Sequence, residues 1–208
     1  MCKKLTCIIL TLMISLSVCA CGFSDKDMDI YEKIHKKYLK METYSADLDM
    51  TVFSNKTQNR YFVSQKTCEP DKFCTLVTDP DGIFSVATIT NGAVTKVTTD
   101  SSDYAITVPS NEYLDLLFIN NFLKAYYASE ATSLNVDTSL VKGNKTTLSV
   151  ETNIPDSTIK KVSLSFDNET LAPDTISVFG ENDTLLVNAK YENFKFNDNI
   201  DLSVFSTD

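Results

Sequence analysis

The 208-residue chain contains no tryptophan, one histidine (His35), one arginine (Arg60) and five glycines. Each shortage removes a class of function. A lone imidazole in the charged stretch Lys33-Ile34-His35-Lys36-Lys37 leaves no nucleophile–base pair and no His/Cys ligand set at metal spacing. The glycines form neither a phosphate-cradling loop nor a strained nucleophile turn. The reading is of a non-catalytic protein without metal or cofactor. Bases are scarce as well, 19 against 28 acids, for a net charge of −9. Lys3 and Lys4 stand in the first twenty residues, which hold no acid, so a chain starting near residue 21 keeps 17 bases against 28 acids and a net of −11. That balance excludes nucleic acid as a partner and speaks against anionic lipid headgroups. Long apolar runs are missing too. The stretch Leu5 to Val18 has fourteen residues, short for a membrane span.

What is present begins with an address. Met1 to Lys4 is basic, the apolar stretch has the length of a signal-peptide core, and Val18-Cys19-Ala20-Cys21-Gly22 follows. Small residues before a cysteine, then Gly, resemble a bacterial lipobox, whose cysteine is acylated and becomes the new N-terminus. Cys21 fits better than Cys19, because Ala20 is small where Val18 would be bulky. The organisation expected is a signal peptide over 1–20, a lipidated tether over 21–28 and a domain over 29–208. Acyl chains contribute about 0.8 kcal/mol per buried methylene, so two chains anchor stably at an extracytoplasmic membrane face. Asp25, Asp27 and Asp29 have calcium-loop spacing. Ile30 and Lys36 occupy the Gly and Glu positions of such a loop, so the segment reads as a solvated linker ending in a helix cap.

Once the leader cysteines and Cys21 are set aside, Cys68 and Cys74 remain. A three-residue loop Pro70-Asp71-Lys72 would put them opposite one another in a hairpin. A structural disulfide is then expected in an oxidising compartment, with two free thiols as the alternative.

The body reads as helix, strands, helix, strands. Asp29 and Glu32 form a capping pair for a helix whose apolar stripe is Ile30, Ile34, Tyr38 and Met41, with His35 off it on the surface. Tyr44, Ala46, Leu48, Met50 and Val52 alternate with Ser45, Asp47, Asp49 and Thr51, a strand with one wet face, to which Asp47 and Asp49 belong. Strands over 60–68, 73–78, 83–90, 93–99 and 104–108 follow, joined by tight turns, Asn91-Gly92 among them. These make an antiparallel meander. Pro109 and Ser110 open a second helix running to about Ala128, apolar on more than one face. It is either a core helix on the concave side of a curved sheet or the wall of an acyl-chain cavity. The candidate lining is Leu48, Met50, Val52, Leu114, Leu117, Phe118 and Phe122. Alternation at Leu148/Val150, Val162/Leu164/Phe166, Ile176/Val178 and Leu185 to Tyr191 gives the last strands. The Asn-x-Thr triplets at Asn55, Asn144, Asn168 and Asn182 read as loop chemistry.

Several pieces together resemble a known group. They are Thr43-Tyr44-Ser45-Ala46, Ser54-Asn55-Lys56-Thr57, Gln65, Pro70-Asp71-Lys72-Phe73, Asp79-Pro80, Asn91-Gly92, Ile154-Pro155, Phe166 to Pro173, and Tyr191-Glu192-Asn193-Phe194 through Phe205. Their order is similar to the LolA/LolB-type lipoprotein-sorting fold, and within it to the germination lipoproteins of the GerS type. The resemblance implies an α+β fold, a curved antiparallel half-barrel with helices on its concave side. It also implies a lipid-anchored, non-catalytic factor between the forespore membranes. Such a factor binds and activates a spore-cortex N-acetylmuramoyl-L-alanine amidase needed for muramic-δ-lactam formation and germination. The alternative is a LolA-like module for acyl chains or lipoproteins. An exposed edge strand would serve either the partner or a homodimer formed by strand pairing or swapping. The chain departs from the carriers at Glu69, where an arginine that helps close a lid commonly stands, and from germination relatives at Cys74, where a basic residue is frequent.

Overall fold

A computed structural model of the protein describes residues 29–92, 94–99, 102–104, 116–137, 144–152 and 157–207. Cys21 and Leu114 lie outside them, as do the whole leader and tether.

Helix α1 spans Ile30–Tyr38. The Asp29 side chain accepts the Glu32 N–H at 2.8 Å, filling one of the orphan donors of the first turn. Ile34 and Tyr38 are buried, and Met41 reaches the same core from beyond the helix end. His35 departs from the surface placement expected of it. It is half-buried, its ring 4.5 Å edge-on from Tyr127 and stacked on Tyr31.

The strands are β1 (Thr43–Phe53), β2 (Gln58–Cys68), β3 (Lys72–Thr78), β4 (Ser85–Asn91), β5 (Val94–Thr99), β6 (Ser102–Tyr104), β7 (Thr132–Asp137), β8 (Lys145–Glu151), β9 (Lys161–Asp167), β10 (Pro173–Phe179) and β11 (Leu185–Phe196). They form one curved antiparallel sheet in the order β6-β5-β4-β3-β2-β1-β11-β10-β9-β8-β7. It is unclosed: among the described residues β6 pairs with β5 alone and β7 with β8 alone. The two chain-order meanders meet where β1 pairs with β11, so the N- and C-terminal strands are central rather than marginal.

Alternation decides the faces. Tyr44, Ala46 and Leu48 of β1 and Val63, Gln65 and Thr67 of β2 point into the concave side and are buried. Asp49 faces outward and takes a two-pronged contact from Arg60, at 2.7 and 2.5 Å. Asp47, also outward, accepts from Asn193 at 2.9 Å. Helix α2, Ile119–Ala128, buries Ile119, Phe122, Leu123 and Tyr126 in the concavity. Together with Ile34 and Tyr38 of α1 they pack on Leu148, Leu164, Phe166 and Ile176, a core on the β8–β11 side.

Four expectations are corrected. First, the β2–β3 turn is Glu69-Pro70-Asp71, with a cis Glu69–Pro70 bond, so Cys68 stands opposite Lys72 and Cys74 opposite Lys66. The two cysteines are diagonal rather than opposed, and both are free thiols. Diagonal neighbours lie about 7–8 Å apart, beyond the usual disulfide span. Second, α2 starts at Ile119, because Phe118 is extended (φ −92, ψ 133) and residues 116–118 form a turn; the expected opening at Pro109 and Ser110 lies outside the described residues. Third, Asn91 ends β4 opposite Val94, and the positive φ falls on Gly92. Ile83 and Phe84 accordingly lie in the preceding turn, 80% and 48% exposed. Fourth, β7 is a strand not named among the expected ones, although Leu134 and Val136 alternate there with Ser133, Asn135 and Asp137.

Two of the Asn-x-Thr triplets interlock across strands. Thr146 Oγ1 donates to Asn168 Oδ1 at 2.7 Å, and Asn168 Nδ2 donates to Asn144 Oδ1 at 3.1 Å. Asn144 sits at φ 47, a conformation asparagine tolerates better than most residues. The triplets are turn chemistry here.

Candidate functional site

Among the described residues, the helices occupy one half of the concavity and leave the other half open. Between β1–β5 and the segment leading into α2 lies a cavity of about 530 Å³. Leu48 and Met50 of β1 line it, with Val63 of β2, Phe73 and Val77 of β3, and Leu117 and Phe118. Its far wall is hydroxylic: Thr88 and Thr90 of β4 and Thr95 of β5 share this face because Thr90 pairs with Thr95. Among the described residues, Asp71 is the one charged residue on the wall.

The candidate lining therefore divides. Leu48, Met50, Leu117 and Phe118 stand on the cavity wall. Val52, half-buried near the end of β1, is not on the wall. Phe122, fully buried, belongs to the core under α2.

Inner-face polar groups hold the roof of this cavity. Helix α2 has no side-chain cap of its own at Phe118. Instead the Tyr44 hydroxyl accepts the Ile119 N–H at 3.3 Å and donates to Gln65 Oε1 at 3.1 Å. Gln65 Nε2 donates to the Leu117 carbonyl at 3.3 Å, and Tyr191 donates to the same carbonyl at 3.4 Å. The sheet thus satisfies backbone groups that would otherwise be buried without partners. Burial pushes the Tyr44 hydroxyl well above its usual pKa, against the Ile119 N–H, which lowers it. Tyr191 is raised for the same cause, burial first, then the neighbouring Tyr44 and Tyr38. Both remain neutral donors at any physiological pH.

Glu69 supplies the second tie. Its carboxylate accepts from Asn120 Nδ2 and, at 2.8 Å, from Lys124 Nζ, which fastens the β2–β3 turn to α2. Its own N–H donates to the Glu42 carbonyl at 2.8 Å. The position where carriers commonly have an arginine is thus filled by a residue of opposite charge that makes its own contact with the roof. Sequence reasoning missed Tyr44, Gln65, Glu69, Asn120 and Tyr191 as positioning residues. One signal was available: Gln65 and Thr67 are polar on the buried face of β2, and a buried amide demands partners.

Among solved structures, the chain is similar to a chain of the CwlD amidase–GerS lipoprotein complex from Clostridioides difficile, at 20% identity, covering 83% of this chain and 96% of that one, with a TM-score of 0.46. It is also similar to the LolA superfamily protein NE2245 from Nitrosomonas europaea, at 11% identity, 86% and 96% coverage and a TM-score of 0.44. An uncharacterized conserved protein from Thermus thermophilus aligns at 10% identity over 86% of this chain and 92% of that one, with a TM-score of 0.52. This last likeness speaks to the fold alone. No curated protein matches the sequence. The family model described as sporulation protein YdcC-like matches residues 2–205, nearly the whole chain, and the protein belongs to that family.

Proposed function

We propose that the protein is a lipid-anchored, non-catalytic sporulation factor that works outside the cytoplasm, acylated at Cys21. Its role is to bind and activate the spore-cortex amidase whose product leads to muramic-δ-lactam. The resemblance of the sequence to germination lipoproteins names this partner, and membership of a sporulation family is consistent with it. The observation that carries a partner role is the open sheet. β7 has one ladder partner among the described residues, and its Leu134 is 46% exposed, so its outer backbone groups are placed to accept an added strand. The same edge would serve a second copy of the chain. Muropeptide analysis of cortex from a strain lacking the gene tests the role. Loss of muramic-δ-lactam with the amidase protein still present is expected, and an unchanged cortex would overturn it.

The cavity favours a second reading, a binding module for acyl chains. Its apolar half suits methylenes, and its threonine wall suits an ester or amide. With Asp71 as the only charge on its wall among the described residues, it suits a neutral, esterified or amide-linked chain over a free fatty acid. Native mass spectra of protein purified from its membrane would show such a chain retained, and a bare protein would count against this reading.

A further inference from the structure

We propose that the pocket beside α1 binds the phosphate of anionic lipid headgroups and seats the domain on the membrane surface. The proposal rests on the reading of Cys21 as a lipid anchor only for its delivery to that surface. The pocket, of about 370 Å³, is lined by Lys33, Lys36, Lys37 and Lys40 over a floor of Leu171 and Phe196. Among the described residues, no carboxylate is on its wall.

What singles it out is the clustering of four lysines on one pocket, while several cations elsewhere are neutralised one by one. Arg60, Lys124, Lys145, Lys160 and Lys161 each pair with an Asp or Glu. Among the described residues, no carboxylate comes within ion-pair distance of Lys33, Lys37 or Lys40. Lys37 donates instead to the Thr170 and Leu171 carbonyls, at 3.1 and 3.0 Å, and its ammonium lies 5.7 Å from the Phe196 ring centre. In a chain with 28 acids, these three lysines, without acid partners among the described residues and gathered on one pocket, form a positive field suited to an external anion.

Net charge does not override this. At physiological ionic strength the screening length is about 8 Å, so acids across the molecule contribute little at this pocket. The surroundings are amphipathic in the manner of a bilayer interface, since Leu39, beside the lysines, is 68% exposed. Asp29 lies eight residue steps beyond Cys21. Fully extended they reach about 28 Å, which confines α1 to a thin layer above the bilayer. The expectation from composition, that anionic headgroups are poor partners, holds for the whole surface and fails at this patch.

The test is lysine acetylation footprinting of the full-length lipidated protein. It is placed in nanodiscs of phosphatidylcholine alone and of a phosphatidylcholine–phosphatidylglycerol mixture. Acetylation of Lys33 and Lys40 is expected to slow about fivefold in the mixture, the factor worth about 1 kcal/mol per lysine at an anionic surface, and to recover in high salt. Lys56, in the β1–β2 turn, should react equally in both. Equal rates for Lys33 and Lys40 in the two discs would overturn the proposal. Slowing by inorganic phosphate in phosphatidylcholine discs, to the same degree, would reassign the pocket to free phosphate. An intact mass lacking acyl chains would sink the anchor instead. Flotation of that unlipidated chain with phosphatidylglycerol vesicles would then decide the pocket, bound protein supporting it and unbound protein refuting it.

Discussion

Removing the Glu69 carboxylate tests whether the β2–β3 turn holds the cavity roof, and two substitutions separate charge from hydrogen bonding. In Glu69→Ala both ties to α2 go. The Lys124 contact is worth little by itself: Lys124 is 57% exposed and Glu69 26%, and such pairs contribute about 0–1 kcal/mol. The Asn120 contact weighs more. Asn120 is 5% exposed, and its Oδ1 already has no partner. Taking away Glu69 leaves its Nδ2 unpaired too, and a buried amide without partners costs about 1–3 kcal/mol. Glu69→Ala should therefore lose about 2 kcal/mol, which for a domain of this size lowers Tm by about 4–8 °C. Glu69→Gln keeps an acceptor for Asn120 and should lose less than about 1 kcal/mol, close to Lys124→Gln. Urea unfolding followed by far-UV circular dichroism gives all three midpoints. Equal losses for Glu69→Ala and Glu69→Gln would refute the reasoning, because the charge pair and not the amide would then carry the tie.

Two more expectations concern acid and thiols. Burial raises the Asp174 carboxyl, but the hydrogen bonds from Lys145 (2.7 Å) and Thr175 (2.6 Å) outweigh it, and its pKa falls below the usual value. A depressed folded pKa gives stability that is present above the unfolded pKa, about 3.9, and is lost as pH falls through the folded value. Asp174→Asn should thus cost about 1 kcal/mol near neutrality, with the gap to wild type closing below about pH 4; a gap that stays constant in Tm against pH would count against this. As for Cys68 and Cys74, the mature chain unfolded without reductant should titrate two thiols. Before unfolding, Cys74 should react slowly, since burial lifts its pKa against the lowering by Lys66. A mass two daltons short of the reduced chain would show the register argument wrong.

Where the sequence was legible, one physical contrast made it so. β1 could be read residue by residue because Asp47 and Asp49 face water while Ala46 and Leu48 face the core. The cap at Asp29 was legible for a similarly local reason, an acceptor within reach of the Glu32 N–H. The misread elements depend on distant partners. Residues 116–118 look helical by composition, yet Leu117 gives its carbonyl to Gln65 and Tyr191, and Phe118 lays its ring 4.8 Å from that of Phe73. Those contacts come from β2, β3 and β11, and no local periodicity reports them. The hairpin register failed for a related reason. The β2–β3 ladder ends at Cys68 opposite Lys72, and the Glu69 carboxylate is turned to α2, so in this hairpin Glu69 belongs to the turn and not to the strand. Moving one residue from strand to turn is enough to take Cys74 from opposite Cys68 to opposite Lys66.

The cavity follows from the same logic, and its position argues for how the two proposed activities would coexist. Its roof is one short segment, held by Tyr44, Gln65 and Tyr191 from below and by Glu69 at the side. The free edge at β7 is the last strand on the other flank of the sheet, beyond the packed core of β8–β11. A partner added at β7 would therefore meet rigid, filled structure, whereas a ligand entering between β1–β5 and α2 would displace only that roof. Strand addition and acyl binding would then act on different halves of one sheet. A variant that opens the roof, Glu69→Ala above all, should change acyl retention while leaving amidase activation intact, and loss of both together would show that the two halves are coupled through α2.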